Sequence, residues 1–183
     1  MKLTKEDGKS LITLAKDSIS SVFKDKELNV DKTLKEKFSE KQGAFVTLTI
    51  EGKLKGCIGF TEALFPLWET IVKAAHSAAF QDHRFSPLTK EEFANVKVEI
   101  SVLTKPELIE GDYVKQVEIG KHGLVVETAS TAGLLLPQVF TEYNADAKKA
   151  LEMTCQKAKL SSDAWKEDDC KVYRFSAEIF TEE

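Results

Sequence analysis

The chain is read as an α+β fold with a central, mainly antiparallel sheet flanked by helices. Three observations lead there. Segments of helical and of strand periodicity follow one another as helix, hairpin, helix, strand, hairpin, helices and strand, which is not the strict βαβ alternation of a parallel sheet. Two strands are clear from alternation alone: Val96, Val98, Ile100 and Val102 against Lys97, Glu99 and Ser101, and Tyr173, Phe175, Ala177 and Ile179 against Arg174, Ser176 and Glu178. With 183 residues, 42% of them hydrophobic and 31% charged, the chain can bury a core without disulfides or metals, and a single domain over 1–183 is expected.

The elements follow in order. Leu11, Leu14, Ala15, Ile19 and Val22 recur at helical spacing, with Lys5, Glu6, Lys9, Lys16 and Asp17 on the opposite, wet face. The charge-rich stretch 24–41 reads as a connector with a short helix, anchored by Leu28, Val30, Leu34 and Phe38. Residues 44–50 are β-branched and aromatic, and Glu51-Gly52 turns them into a second strand at 53–58. Pro66 suits the first turn of a helix to about Phe80, whose buried stripe is Leu67, Ile71, Ala74, Ala75 and Ala78. Thr89 and Glu92 form a capping box for a short helix after Pro87. Pro106 ends the strand that begins near Val96.

Residues 117–128 are expected to form a second hairpin with His122-Gly123 near its turn. Leu134, Leu135 and Leu136 lead through Pro137 into a helical turn reaching Glu142, and a longer helix covers 145–158 with Leu151 and Cys155 on one face. The late strand 171–180 is expected to return to the same sheet system as the first hairpin.

Composition narrows the function. A formal charge of −4 argues against general nucleic-acid binding, and Arg84 and Arg174 are the only arginines, few for a protein that grips phosphates with bidentate forks. Cys57, Cys155 and Cys170 are odd in number and lack CxxC spacing, which speaks against a disulfide scaffold or structural zinc and for a reducing, cytoplasmic setting. The start of the chain has no apolar run of signal-peptide type. Three scattered histidines and no HExxH give no metal-ligand signature, and phosphate-loop, dinucleotide and GxSxG motifs are missing. No cofactor is expected.

The candidate site residues start from Cys57, bracketed by Gly56 and Gly59. An accessible cysteine with a base or helix N-terminus nearby can act as a nucleophile; alternatively the glycines let two strands approach and the cysteine is a small core residue. Asp82 and Arg84 can bind a ligand or serve Cys57, or they can staple the loop after the Pro66 helix through an ion pair. His122 sits beside a turn glycine, and His83 is a loop histidine that more simply faces solvent. Gln138 and Glu142 lie four apart on one helical face, where Glu142 can carry protons or be a plain surface residue. Glu99 and Lys97 point off the core face and matter only if that face borders a site.

Several motifs occur together in one order: Leu54-Lys55-Gly56-Cys57-Ile58-Gly59, then Ser77 to Phe85, Val98 to Leu103, Gly120-Lys121-His122-Gly123-Leu124 and Gly133 to Val139. In this order they closely resemble the AMME chromosomal-region protein domain over essentially the whole chain. The resemblance implies two unequal lobes around a central antiparallel sheet, with a cleft between them. It implies Gly56, Cys57, Gly59, Asp82, Arg84, Phe85, His122, Gly123, Pro137 and Glu142 as motif positions. It also implies a pathway shared with a Memo-like relative of extradiol dioxygenases and a radical-SAM protein, since the domain is often encoded beside or fused to the former.

Three positions depart from the family pattern. Lys55 replaces an arginine, which keeps the charge and loses the fork. His83 stands where proline is usual, and Phe140 where alanine is common. The leading expectation is a binding or accessory component of a modification pathway. The alternatives are a cysteine-dependent enzyme, with Cys57 as nucleophile, Glu142 as proton carrier and Arg84 as anion clamp, and a nucleic-acid-associated regulator. Gly56, Gly59, Asp82, Arg84, His122 and Gln138 are the expected ligand contacts.

Overall fold

The computed structural model describes residues 3–182 and divides the chain into two compact units. The larger holds the chain up to Leu103 together with the return from Glu178; the smaller holds Thr104–Ala177. The class is α+β, as expected, with the strands shared between two four-stranded sheets instead of one central sheet.

In the larger unit, helix α1 (Lys5–Phe23) opens on a capping box in which the Thr4 hydroxyl and the Asp7 carboxylate each receive the other residue's backbone N–H. Leu11, Ala15 and Ile19 are fully buried, whereas Val22, expected on this stripe, is 45% exposed. Helix α2 (Lys32–Lys37) is the short helix expected within the connector, and Lys37 pairs with Asp7 at the start of α1. Strands β1 (Ala44–Ile50) and β2 (Lys53–Phe60) form a hairpin. Glu51 and Gly52 both adopt positive φ (50° and 76°), the two-residue turn whose twist matches the strands. Helix α3 (Leu67–Phe80) buries every residue of its expected stripe. Helix α4 (Lys90–Phe93) carries the Thr89/Glu92 capping box and leads into β3 (Val96–Leu103).

The smaller unit holds β4 (Glu107–Leu108), α5 (Tyr113–Gln116), β5 (Gly123–Glu127), β6 (Ala132–Leu135), α6 (Pro137–Glu142), α7 (Ala147–Lys157), a 3-10 turn at Ala164–Lys166, and β7 (Lys171–Phe175). Its sheet order is β4-β7-β5-β6, packed around Leu124, Val126, Phe140, Leu151, Cys155 and Val172. Strand β8 (Ala177–Thr181) belongs to the other sheet, whose order is β2-β1-β3-β8.

Two expectations change. Residues 117–122 are not a strand. The hairpin is β5 with β6, turning at 128–131, and His122 precedes β5 instead of sitting in the turn. The long final strand is two strands broken at Ser176, whose C=O accepts the Thr104 N–H and whose N–H donates to the Thr104 hydroxyl. Alternation looks unbroken through that point, and a single residue bonded sideways suffices to hand the chain from one sheet to the other.

Within the larger unit, Ala44, Val46, Leu48, Val98, Ile100 and Val102 point into a core shared with α1 and α3. The opposite face of the sheet carries Phe45, Thr47, Cys57, Gly59, Glu99 and Ser101, all partly exposed. Among the described residues, no helix is long and apolar enough to cross a membrane.

Candidate functional site

The site begins with a register shift. A two-residue turn at Glu51-Gly52 pairs Ile50 with Lys53 and Thr49 with Leu54, but Leu48 then pairs with Gly56, which leaves Lys55 as a bulge. Beyond the bulge Thr47 lies opposite Cys57, and Phe45 opposite Gly59. Without it Cys57 would sit opposite Val46, which is fully buried in the core. One extra residue therefore moves the cysteine from the core face to the open face. Lys55 itself turns to Glu92 (Nζ to Oε1 2.8 Å) and to the Ser86 hydroxyl, tying the hairpin to α4; this pairing is the first cause holding the Glu92 carboxyl below its usual range.

Glycine is required at Gly56 because α3 presses on β2. A Cβ there would lie 2.0 Å from the Ala78 carbonyl oxygen. The helix can come that close because Ala74, Ala75, Ala78 and Ala79 form its inner face. Gly59 is covered by Phe45, whose Cγ would lie 2.5 Å from a Cβ at that position. A ring laid over a strand glycine replaces the packing that the missing side chain would provide.

The close approach of α3 lets the loop beyond it reach β2, the outermost strand of its sheet. The Asp82 carboxylate accepts four hydrogen bonds: Cys57 N–H at 2.9 Å, Arg84 N–H at 3.2 Å, Arg84 Nε at 2.9 Å and Arg84 Nη2 at 2.8 Å. Arg84 Nη2 also donates to the Cys57 carbonyl oxygen at 3.0 Å. Both backbone groups of Cys57 are thus held by an ion pair, where a neighbouring strand would otherwise bind and where an exposed edge invites mispairing. The Asp82 side chain is 4% exposed and that of Arg84 58%. The bond from Arg84 holds the Asp82 carboxyl well below the usual carboxylate range. Burial opposes that, and the N–H groups of Cys57 and Arg84 reinforce it. Asp82 raises Arg84 in turn.

The sulfur is engaged from the sheet. Thr47 Oγ1 donates to Cys57 Sγ at 3.2 Å. Among the described residues, Asp82 and Arg84 bond to the main chain of Cys57 and not to its thiol. The arrangement offers a rigid, half-buried sulfur with a hydroxyl donor on it. His83 is exposed, and Phe85 lies beneath the Arg84 guanidinium at 5.4 Å.

The remaining candidates belong to the smaller unit. His122 is half-buried and accepts the Glu118 N–H at Nδ1 (3.1 Å). Burial first, then the charges of Arg174 and Lys121, lower its pKa. Gln138 and Glu142 lie at either end of α6 and are exposed. Thr47 was not legible as a site residue. A turn-and-alternation reading pairs it with Gly56, and nothing in the residue order announces the bulge. Cys155 and Cys170 are buried, as expected for Cys155, and burial pushes the Cys155 thiol up to about 11 and raises that of Cys170. Among the described residues no group of histidine, cysteine and carboxylate side chains could hold a metal ion.

The ordered motifs, the glycine-to-helix contact and the Asp82–Arg84 clamp coincide with clear kinship. The chain is 45% identical over 181 residues to a protein of Aquifex aeolicus, covering 96% of this chain and 93% of that one. It is 44% identical over 191 residues to the protein PYRAB00100 of Pyrococcus abyssi, covering 100% of this chain and 93% of the relative. The crystal structure of the uncharacterised protein PH0010 from Pyrococcus horikoshii superposes with a TM-score of 0.81 at 43% identity, covering 100% of this chain and 95% of that chain. The AMMECR1 family model matches residues 12–180, and the chain belongs to that family.

Proposed function

We propose that this protein is a cytoplasmic binding or accessory component of a modification pathway, with its ligand contacts on Gly56, Cys57, Gly59, Asp82 and Arg84, and further contacts at His122 and Gln138. The observation that carries this reading is the use made of the clamp. Asp82 and Arg84 immobilise the Cys57 peptide and leave the thiol without an acid–base partner, as suits an anchoring surface better than a turnover site. The exposed side of the Arg84 guanidinium, fixed by Asp82, suits a carboxylate or phosphate group on the partner. The Memo-like and radical-SAM proteins implied by the family resemblance are the first partners to try. The test is co-purification of each with the wild type, Arg84→Ala and Cys57→Ser. Retention by the wild type and loss in Arg84→Ala supports the reading, and no retention by the wild type refutes this choice of partner.

A second reading, a cysteine-dependent enzyme with Glu142 as proton carrier, draws on the hydroxyl that Thr47 points at Sγ. Its mark would be a covalent adduct on Cys57 that forms and decays with an added substrate. The net charge of −4 counts against a nucleic-acid regulator.

A further inference from the structure

The side chains that meet Cys57 on the open face come from β1 and β3. Cys57, Thr47 and Glu99 form one cross-strand row: Thr47 is the register partner of Cys57 on one side and of Glu99 on the other. Directly opposed residues in a sheet share a face and bring their Cβ atoms to about 5 Å. Thr47 stands between sulfur and carboxylate, and its hydroxyl donates to Sγ. Lys97 precedes Glu99 on the same face of β3. The other charged groups near the sulfur, Asp82 and Arg84, are locked to each other and to the main chain.

We infer that Thr47 and Glu99 are positioning residues that set the nucleophilicity of Cys57 in opposite directions. The inference rests on the reading above that Cys57 is reachable in the folded protein. A hydroxyl donating to sulfur stabilises the negative charge that sulfur carries when it attacks. A carboxylate in the same row opposes that charge. The site then favours an electrophilic ligand whose reacting carbon approaches from the open face, with Thr47 as the activating group and Glu99 as the restraint.

The experiment is native alkylation with iodoacetamide at fixed pH, followed by intact mass, in a background where Cys155 and Cys170 are alanine. The thiolate attacks the iodomethyl carbon, a C–S bond forms, iodide leaves and the thiol proton passes to buffer. Thr47→Val keeps the shape and β-branching of the strand residue and should react about five-fold more slowly, as expected for loss of one partly solvated hydrogen bond to a charged atom. Thr47→Ser should restore the rate. Glu99→Gln should react about two-fold faster, the effect of removing one charge roughly 10 Å away through a water-like medium. That gain should vanish at about 1 M salt, whereas the Thr47→Val loss should persist.

Thr47→Val and Glu99→Gln both reacting at the wild-type rate overturns the inference and leaves the binding surface standing. A Cys57 that is alkylated only after denaturation overturns both the inference and the accessibility beneath it.

Discussion

Replacing Asp82 with alanine removes the group that fastens α3 to the sheet edge. Of the four bonds it accepts, three come from Arg84 and one from Cys57. The Arg84 side chain is 58% exposed, so water replaces most of what its guanidinium loses, and that share is discounted to about 0.5–1 kcal/mol. The Cys57 N–H bond is charge-assisted and partly buried and is worth about 1.5–3 kcal/mol. Together they make Asp82→Ala destabilising by about 2–4 kcal/mol. Asp82→Asn, which keeps an acceptor for the Cys57 N–H and loses the charge, should cost about half as much.

Urea unfolding should show the loss as a lower midpoint at an unchanged m-value. The pH dependence has a definite sign. The folded-state pKa of Asp82 is depressed, so its contribution is present in full above the unfolded carboxylate value of about 3.9 and is lost as pH falls through the lower folded value. The gap between wild type and Asp82→Asn should therefore be flat from pH 8 to about 5 and narrow only below about 4. A midpoint for Asp82→Ala within about 0.5 kcal/mol of wild type would refute the clamp as a structural device.

Other consequences can be checked in the same assay. Gly56→Ala places a carbon 2.0 Å from the Ala78 carbonyl oxygen, a backbone atom that cannot swing away, so it should destabilise by about 3 kcal/mol or more. Asp7 has its pKa lowered to about 2, first by Lys37 and then by the Thr4 N–H and hydroxyl. Its contribution, about 1–2 kcal/mol after allowing for the half-exposed lysine, is present above pH ~4 and lost toward pH ~2, so acid unfolding of Asp7→Asn should begin from a lower plateau and show a shallower pH slope in that window. Cys155 and Cys170, buried and with raised pKa values, should resist iodoacetamide at pH 7.5 until urea unfolds the protein, as peptide mapping of the alkylated sites would show.

Much of this architecture could be read from residue order. The helix on Leu11, Ala15 and Ile19, the Glu51-Gly52 turn, the Pro66 helix with its alanine stripe, the Thr89/Glu92 cap and the alternation through Val102 are local patterns, and local patterns suffice where one face is buried and the other wet. The pairing of Asp82 with Arg84 was foreseeable from two charges at i, i+2 after a helix. Its target was not, because that target is the backbone of a strand 25 residues earlier. The break at Ser176 was invisible for a similar reason: alternation continues through it, and only the bonds to Thr104 divide the strand.

The bulge at Lys55 marks the boundary most sharply. Sequence alone determined a hairpin with a glycine-bracketed cysteine in its second strand. Whether that cysteine faced the core beside Val46 or the open face beside Thr47 depended on one unpaired residue. Side chains alternate with a period of two, so a shift of one exchanges the faces, and the shift arises in pairing between strands, which no stretch of sequence contains by itself.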